Sequence, residues 1–305
     1  MAVYVNTNYS ALQGQRYLSN VNNSLTTTYQ RLSSGMRINS AKDDAAGLQI
    51  ADRLTSQING LNQGNRNASD GIALAQTIES GMDEISGMLQ KIRTLAVQAA
   101  NGTNTAEDRG ALAKEASALV AEMDRIAEQT TYGGRTVLEG GTSKSIYTKA
   151  QNATKGGKMT LQVGSNKGDT ISFDVASFVF SAIAKGFSLG FRKDGATLKE
   201  ASKGNAILFS TASMAQDLIK SVDSIIANVD AQRANLGAIQ NRLESSIRNQ
   251  SNVAANEADA RSRIRDADFA EESANLSQQS IIQQAAASML MQANTRPQLG
   301  LSLLG

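Results

Sequence analysis

The adjacent acids Asp43 and Asp44 are the side chains whose types and spacing come nearest to those of a metal-binding site. They lie in the stretch SGMRINSAKDDAAG, residues 34–47. A calcium or magnesium loop needs more oxygen ligands at alternating positions than these two acids and Asn39 supply. Ser40, followed three residues later by Asp43, instead fits a capping box at the start of a helix. We therefore predict a joint and a helix cap at Ser40 and Asp43, and no metal site.

The composition leaves few other routes to catalysis. The 305 residues include no histidine, cysteine or tryptophan, which excludes imidazole bases, cysteine nucleophiles, disulfides and the usual zinc sites. The carboxylates, lysines and serines form no catalytic arrangement, so we expect no enzyme and no cofactor. A formal charge of +2, from 30 basic and 28 acidic residues, gives no strong attraction to nucleic acid.

Neither a membrane span nor a secretory signal is expected from the sequence. The longest apolar runs are far shorter than the ~20 residues that a membrane-spanning helix needs. The N-terminal stretch MAVYVNTNYSALQGQR lacks the basic start, apolar stretch and small-residue cleavage site of a secretory signal. These criteria alone predict a cytoplasmic protein without membrane insertion.

Apolar residues at alternating four- and three-residue spacing predict two long helices and a third, shorter one. The first covers about 211–260, the second about 45–100 and the third about 106–130, with Asn104 or Thr105 as its cap. The glycines of the second helix are expected to weaken it: Gly60, Gly64, Gly71, Gly81 and Gly87. Helices of this length that cross at ~20° stay nearly parallel. The predicted fold is mainly α, a long antiparallel helical rod or coiled-coil bundle.

The middle of the chain has a different pattern. KMTLQVGSNKGDTISFDV alternates apolar and polar residues on either side of a polar turn, which predicts a β-hairpin. From Lys144 to Lys203 there are ten basic and four acidic residues, which favours a solvated basic tip over a nucleic-acid patch. We therefore predict a β-hairpin and a short surface insert over 141–204.

The two ends carry weakly amphipathic helices rich in Asn, Gln, Ser and Thr. Isolated helices of that length and polarity are marginal in water. Pairing the two ends with each other buries too little apolar surface to offset the backbone entropy of ordering them. We therefore expect both ends to be disordered in a lone chain and to fold when other copies surround them. The expected assembly core comprises Leu18, Val21, Leu25, Leu32, Phe269, Leu276, Ile282, Met289 and Leu290.

The segment ARSRIRDADFAEE, residues 260–272, is densely charged. One interpretation is a solvated helix face or a second joint. The other is a salt-bridge network between subunits, in which Arg261, Arg263 and Arg265 meet carboxylates of neighbouring copies. The sequence does not separate these two interpretations.

Several motifs, in order, resemble the bacterial flagellin family. The N-terminal ones are QRLSSGMRINSAKDDAAGLQIADRL (30–54), SDGIALAQTIESGMDEI (69–85) and LQKIRTLAVQAANGT (89–103). The C-terminal ones include QRANLGAIQNRLESS (232–246), SRIRDADFAEESANLSQQSIIQQAAASMLMQAN and the terminal LSLLG. The resemblance covers about four fifths of the chain.

This resemblance implies a structural subunit that self-assembles into the helical flagellar filament for motility. It implies export of the unfolded chain by the flagellar type III apparatus, without a cleaved signal, to the extracellular filament. The implied partners are other copies of the chain, an export chaperone, the filament cap and hook-associated proteins. The implied domains are a terminal coiled coil (1–44 and 261–305), a helical rod (45–140 and 205–260) and the central insert.

The resemblance also implies recognition by host innate immune receptors. The segment that contacts the flagellin-detecting Toll-like receptor matches Gln90, Lys91, Arg93 and Leu95, with Glu115 on the next helix. Recognised flagellins commonly have arginine where Lys91 stands, so recognition is expected to be weaker. The tail that cytosolic sensors detect matches Leu301, Leu303 and Leu304.

Two competing functions remain open. A hook-filament junction protein shares flagellin-like ends and a similar length, but it caps or adapts the filament. An enzyme or adhesin built into the insert would have only about 60 residues, without histidine, to form its site.

Overall fold

The chain is predominantly helical, with short antiparallel strands in its middle, as the sequence predicted. The structure is a computed structural model that describes residues 7–142, 144–147, 156–180, 199–201, 204–207 and 211–302. The helices are α1 (Tyr9–Ser34), α2 (Ala45–Ala100), α3 (Ala106–Gln129), α4 (Ala212–Arg265) and α5 (Phe269–Ser302). The strands are β1 (Thr131–Tyr132), β2 (Arg135–Thr136), β3 (Gly157–Gln162), β4 (Thr170–Val175), β5 (Lys199–Ala201) and β6 (Gly204–Ala206). Each strand pairs antiparallel with the one next to it in the chain: β1 with β2, β3 with β4, and β5 with β6.

Chain contacts divide the protein into two compact units. One comprises Met1–Asn59 with Val253–Gly305, and the other comprises Gly60–Asn252. Helices α2 and α4 each contribute to both units. In the described part of the chain, none of the helices combines the length and apolar character needed to cross a membrane.

The core of the 60–252 unit is the predicted heptad seam. Ion pairs between Arg93 and Asp223 and between Arg233 and Asp83 show that α2 and α4 run antiparallel there. The seam residues of α4 are buried: Leu218, Val222, Ile225, Val229, Leu236, Ile239 and Leu243. Helix α3 adds small and medium side chains to the same core: Ala116, Val120 and Met123.

The start of α3 shows why the helix begins where it does. Thr105 Oγ1 accepts a hydrogen bond from Asp108 N (3.2 Å), and Thr105 N donates to Asp108 Oδ2 (2.9 Å). This reciprocal capping box satisfies two free N–H groups of the first turn. The hydrogen bonds that Thr105 donates, first from its side chain and then from its backbone, lower the pKa of Asp108. Of the two caps that the sequence allowed, the structure selects Thr105.

Strands β3 and β4 form the predicted hairpin, with Met159 opposite Phe173 and Leu161 opposite Ile171. The hairpin lies against α2 at positions where this helix has glycine. A Cβ atom added at Gly64 would lie 2.0 Å from the carbonyl oxygen of Val163, and one added at Gly71 would lie 2.3 Å from Leu161 Cδ1. The glycines therefore allow close packing of the hairpin on the helix.

Gly64→Ala is expected to destabilise the protein, because the new methyl group would force the hairpin away from α2. Overpacking of this kind costs about 1–3 kcal/mol. Gly87→Ala is the matched control, because it lies in the same helix and a Cβ there meets nothing within 4 Å. That change should stabilise the protein by up to ~1 kcal/mol. Chemical denaturation of both variants measures the two effects, and shifts in the same direction would contradict the proposed packing role.

Candidate assembly interface

The helices at the two ends of the chain pair with each other. Asn8 Nδ2 donates to the carbonyl oxygen of Ala293 (2.8 Å), and Gln283 Nε2 donates to Asn22 Oδ1 (2.7 Å). Near the other end of the pair, Arg31 and Glu272 form an ion pair at 2.8 Å. This sequence of contacts shows that α1 and α5 run antiparallel.

The seam between α1 and α5 is narrow and partly polar. Gly14 lets α1 and α5 approach each other closely, because a Cβ atom added at this glycine would lie 3.3 Å from Leu290 Cδ1. Thr28 is buried and donates from Oγ1 to Gln279 Oε1 (3.3 Å). Of the expected assembly-core residues, Leu25 is buried and five others are half-buried: Leu18, Val21, Leu32, Leu276 and Leu290. The pair alone therefore buries little apolar surface.

Phe269, Ile282 and Met289, also expected in the assembly core, are exposed. The α1–α5 seam therefore does not bury their side chains. Other large apolar side chains on the two helices are equally exposed, so the exposed set comprises Tyr9, Leu12, Tyr17, Tyr29, Phe269, Ile281, Ile282, Met289 and Met291. We refer to these nine residues as the terminal apolar surface.

The terminal apolar surface is the most apolar exposed part of the described chain. Twelve large hydrophobic residues are exposed among the described positions, and nine of them are on α1 and α5. This concentration on two helices makes them a candidate interaction surface. The sequence prediction missed Tyr9, Leu12, Tyr17, Tyr29, Ile281 and Met291, because it followed only the four-three seam. Apolar residues at positions off that seam are the signal that would have identified them.

The joints that connect the terminal helices to the rest of the chain are bonded to each other. Gly35, at φ 70°, ends α1 in the left-handed conformation that glycine adopts most readily. The backbone N–H of Arg37 donates to the carbonyl oxygen of Arg265 (2.7 Å), and that of Ala267 donates to the carbonyl oxygen of Gly35 (3.0 Å). Ile38 is buried beside this pairing. The two joints therefore hold the end of α1 beside the start of α5.

The predicted cap at Ser40 and Asp43 requires a correction. Asp43 Oδ2 accepts hydrogen bonds from Ser40 N (2.9 Å), Asn39 N (3.1 Å) and Ser40 Oγ (3.1 Å), which lower the pKa of Asp43, the backbone N–H of Ser40 contributing most. However, α2 begins only at Ala45, and Asp44 Oδ1 accepts the bond from Gly47 N (2.9 Å). Asp44 is therefore the helix cap, and Ser40 with Asp43 closes the turn before it.

Segment 260–272 forms contacts with residues of the same chain, both near and far in sequence. Arg263 Nε pairs with Asp259 Oδ2 one turn earlier (2.9 Å), and Arg261 Nη1 donates to Thr55 Oγ1 (3.3 Å). An exposed pair of this kind contributes little stability. The salt-bridge network between subunits stays a hypothesis.

The residues expected to contact the Toll-like receptor lie on neighbouring helices of the 60–252 unit. Gln90, Lys91 and Arg93 are exposed on α2 and Leu95 is half-buried there, while Glu115 is exposed on α3. Arg93 hydrogen bonds to Asp223 of α4, which raises the pKa of the guanidinium. The backbone of α5 reaches Ser302, whereas the side chain of Leu301 and all of Leu303 and Leu304 lie outside the described residues.

Comparison with known proteins gives matches at both ends and along the whole chain. Residues 5–143 match the family model of the bacterial flagellin N-terminal helical region, and residues 219–304 match that of the C-terminal helical region. Polar flagellin C of Vibrio parahaemolyticus is 36% identical over 386 residues, and flagellin A of Vibrio cholerae is 35% identical over 380 residues; each comparison covers 100% of both chains. The structure of a putative flagellar hook-associated protein from Vibrio parahaemolyticus covers 73% of this chain and 100% of its own, with 15% identity and a TM-score of 0.53. This last likeness is one of fold alone.

Proposed function

The chain belongs to the bacterial flagellin family, whose members are structural subunits of the flagellar filament, and we propose that it polymerises into this filament through α1 and α5. The terminal apolar surface is the observation that carries the proposal. Nine large apolar side chains stay in water on two helices that share only a narrow, partly polar seam. Burying them against neighbouring copies would yield about 25 cal/mol per Å² of apolar area.

The same surface supports the proposal that the terminal helices are ordered by assembly. Ordering the backbone costs about 1–2 kcal/mol per residue, and the α1–α5 seam supplies few buried apolar contacts against that cost. Neighbouring copies supply the missing contacts. In this proposal, residues 1–44 and 261–305 form the terminal coiled coil, residues 45–140 with 205–260 form a helical rod, and 141–204 forms the surface insert.

Export of the unfolded chain to the cell exterior through the flagellar type III apparatus belongs to the same proposal. Two sequence features support it: weakly folding ends and the absence of cysteine. The partners proposed for this route are an export chaperone, hook-associated proteins and the filament cap. The functional location is then the extracellular filament.

Seeded growth tests the proposed polymerisation. Purified full-length chain is added to short filament fragments, and filament length is followed by electron microscopy. Long filaments are the expected result. Growth that stops after a single layer would indicate a hook-filament junction protein, and no addition of subunits would contradict the proposal.

Recognition of the monomer by the flagellin-detecting Toll-like receptor is a separate proposal. The exposure of Gln90, Lys91 and Arg93 on α2, with Glu115 on α3, supports it. Lys91→Arg is expected to increase receptor signalling, because a guanidinium forms paired hydrogen bonds that an ammonium does not. A reporter-cell dose response measures the change, with Lys114→Arg, an exposed position on α3, as the control. Unchanged signalling by Lys91→Arg would contradict a direct contact at this position.

Recognition of the C-terminal tail by cytosolic sensors is proposed for Leu301, Leu303 and Leu304. It rests on the terminal LSLLG. A chain with these three leucines changed to alanine should lose that response while it keeps the response at the Toll-like receptor.

A further inference from the structure

The methionine side chains of the terminal apolar surface differ sharply in exposure from those of the core. Met289 and Met291 are 70% and 67% exposed, whereas Met82 and Met123 are 0% exposed. The thioether sulfur of an accessible methionine is open to oxidants that do not reach a buried one. The chain therefore contains accessible and protected methionines in one molecule.

Met289 and Met291 lie on different sides of α5. They are two residues apart, and at 3.6 residues per turn their directions differ by roughly 160° around the helix. Met289 lines a groove of about 390 Å³ with Gly14 and Tyr17 of α1. Because the two side chains point in different directions, they occupy two separate parts of the terminal apolar surface.

We propose that Met289 and Met291 form an oxidation site that controls addition of the chain to a filament. The oxidant is a peroxide, which transfers one oxygen atom to the thioether sulfur. The sulfur loses two electrons and gains an S=O bond, while the O–O bond of hydrogen peroxide breaks and the remaining oxygen leaves as water. This inference rests on the proposed function, in which the terminal apolar surface is buried between copies.

Oxidation at this site changes the chemistry of the surface that must be buried. A sulfoxide is polar and accepts hydrogen bonds, whereas the thioether that it replaces is an apolar, flexible side chain. Burying the sulfoxide oxygen without a donor is unfavourable. Oxidised chains should therefore stay in solution, and thiol-dependent reduction of the sulfoxide should return them to the pool that assembles.

The test uses the full-length monomer treated briefly with hydrogen peroxide. Peptide mass spectrometry should find sulfoxide at Met289 and Met291 while Met82 and Met123 remain unmodified. Added to filament seeds, the oxidised chain should elongate them at least tenfold more slowly than untreated chain. Methionine sulfoxide reductases with dithiothreitol should restore elongation.

The variant Met289→Leu/Met291→Leu is the matched control, because leucine keeps the apolar character and has no sulfur. It should elongate seeds equally well before and after peroxide. If it loses elongation after peroxide as the original chain does, oxidation acts elsewhere and the inference is overturned. If the untreated variant does not elongate seeds, it cannot serve as the control, and the oxidised original chain decides instead. If the elongation rate of that chain stays low after reduction by the reductases, the inference is also overturned.

Two further outcomes separate this inference from the proposed function. Untreated chain that fails to elongate seeds contradicts the proposed function itself. Oxidised chain that elongates at the normal rate overturns only the oxidation site. Assembled filaments provide a second readout, because peroxide should oxidise Met289 and Met291 at least tenfold more slowly there than in the monomer, and equal rates would overturn their burial between copies.

Discussion

A chain that lacks residues 265–305 should remain soluble and folded but form no filaments. The deletion removes all of α5 and therefore five residues of the terminal apolar surface, and it leaves α1 without its antiparallel partner. The core of the 60–252 unit contains none of the deleted residues, so its cooperative unfolding should persist. Electron microscopy after incubation with seeds measures the loss of polymerisation, and circular dichroism measures the remaining helix.

Ile281→Asp is the point variant that accompanies this deletion. Ile281 is exposed on α5, so the new carboxylate stays solvated in the free chain and should leave its thermal unfolding unchanged. In the filament the carboxylate would be buried, which is costly for an unpaired charge. Elongation should therefore fall at least tenfold. Filaments grown from the deleted chain, or normal elongation by Ile281→Asp, would contradict assembly through α5.

Leu236→Asp should destabilise the 60–252 unit by at least about 3 kcal/mol. The leucine is 3% exposed in the seam of α4, so the change removes apolar packing and also buries a carboxylate. A loss of this size is a large part of the 5–15 kcal/mol by which proteins are typically stable. Urea denaturation followed by circular dichroism measures the free energy of unfolding.

Two further variants keep this prediction testable if Leu236→Asp does not fold. Leu236→Ala removes the packing without adding charge and should cost about 2–5 kcal/mol. Asn241→Asp adds the same charge at an exposed position of α4 and should change stability by at most about 0.5 kcal/mol. Equal effects of Leu236→Asp and Asn241→Asp would show that the heptad register is wrong.

The long helices could be predicted from the sequence because one physical pattern determines them. In α4, apolar residues at four-three spacing, without an interrupting proline, form a single buried face that includes Leu218, Leu236 and Leu243. The β3–β4 hairpin could also be predicted, because alternation on either side of a polar turn indicates its two strands. The register of their pairing, with Met159 opposite Phe173, is seen only in the structure. Both predictions depend on local periodicity, which a single sequence contains.

Features that depend on distant segments were harder to predict. The glycines of α2 suggest only a weakened helix, because the sequence does not reveal that Gly64 and Gly71 lie against the hairpin residues Val163 and Leu161, about 90 to 100 residues later in the chain. The sequence predicts a helix cap at Ser40 because Ser40 and Asp43 have the capping-box spacing. In the structure these two residues bond to each other within a turn, and the helix begins only after Asp44.

The terminal apolar surface was predicted only in part for a similar reason. Heptad positions identify residues that contact a single neighbouring helix, such as Leu25. Side chains that face other directions, such as Tyr29 and Ile281, resemble scattered surface hydrophobics until both helices are placed side by side. The sequence shows that these residues are apolar and off the seam, but their exposure is established only by the structure.

Hydrogen–deuterium exchange of α1 and α5, compared between dilute monomer and filament, tests the central claim most directly. The claim is that the terminal helices gain their order from burial of the terminal apolar surface by other copies. It predicts rapid amide exchange over 9–34 and 269–302 in the monomer and strong protection of the same amides in the filament. Slow exchange of these amides in a verified monomer, or equally rapid exchange in the filament, would contradict it.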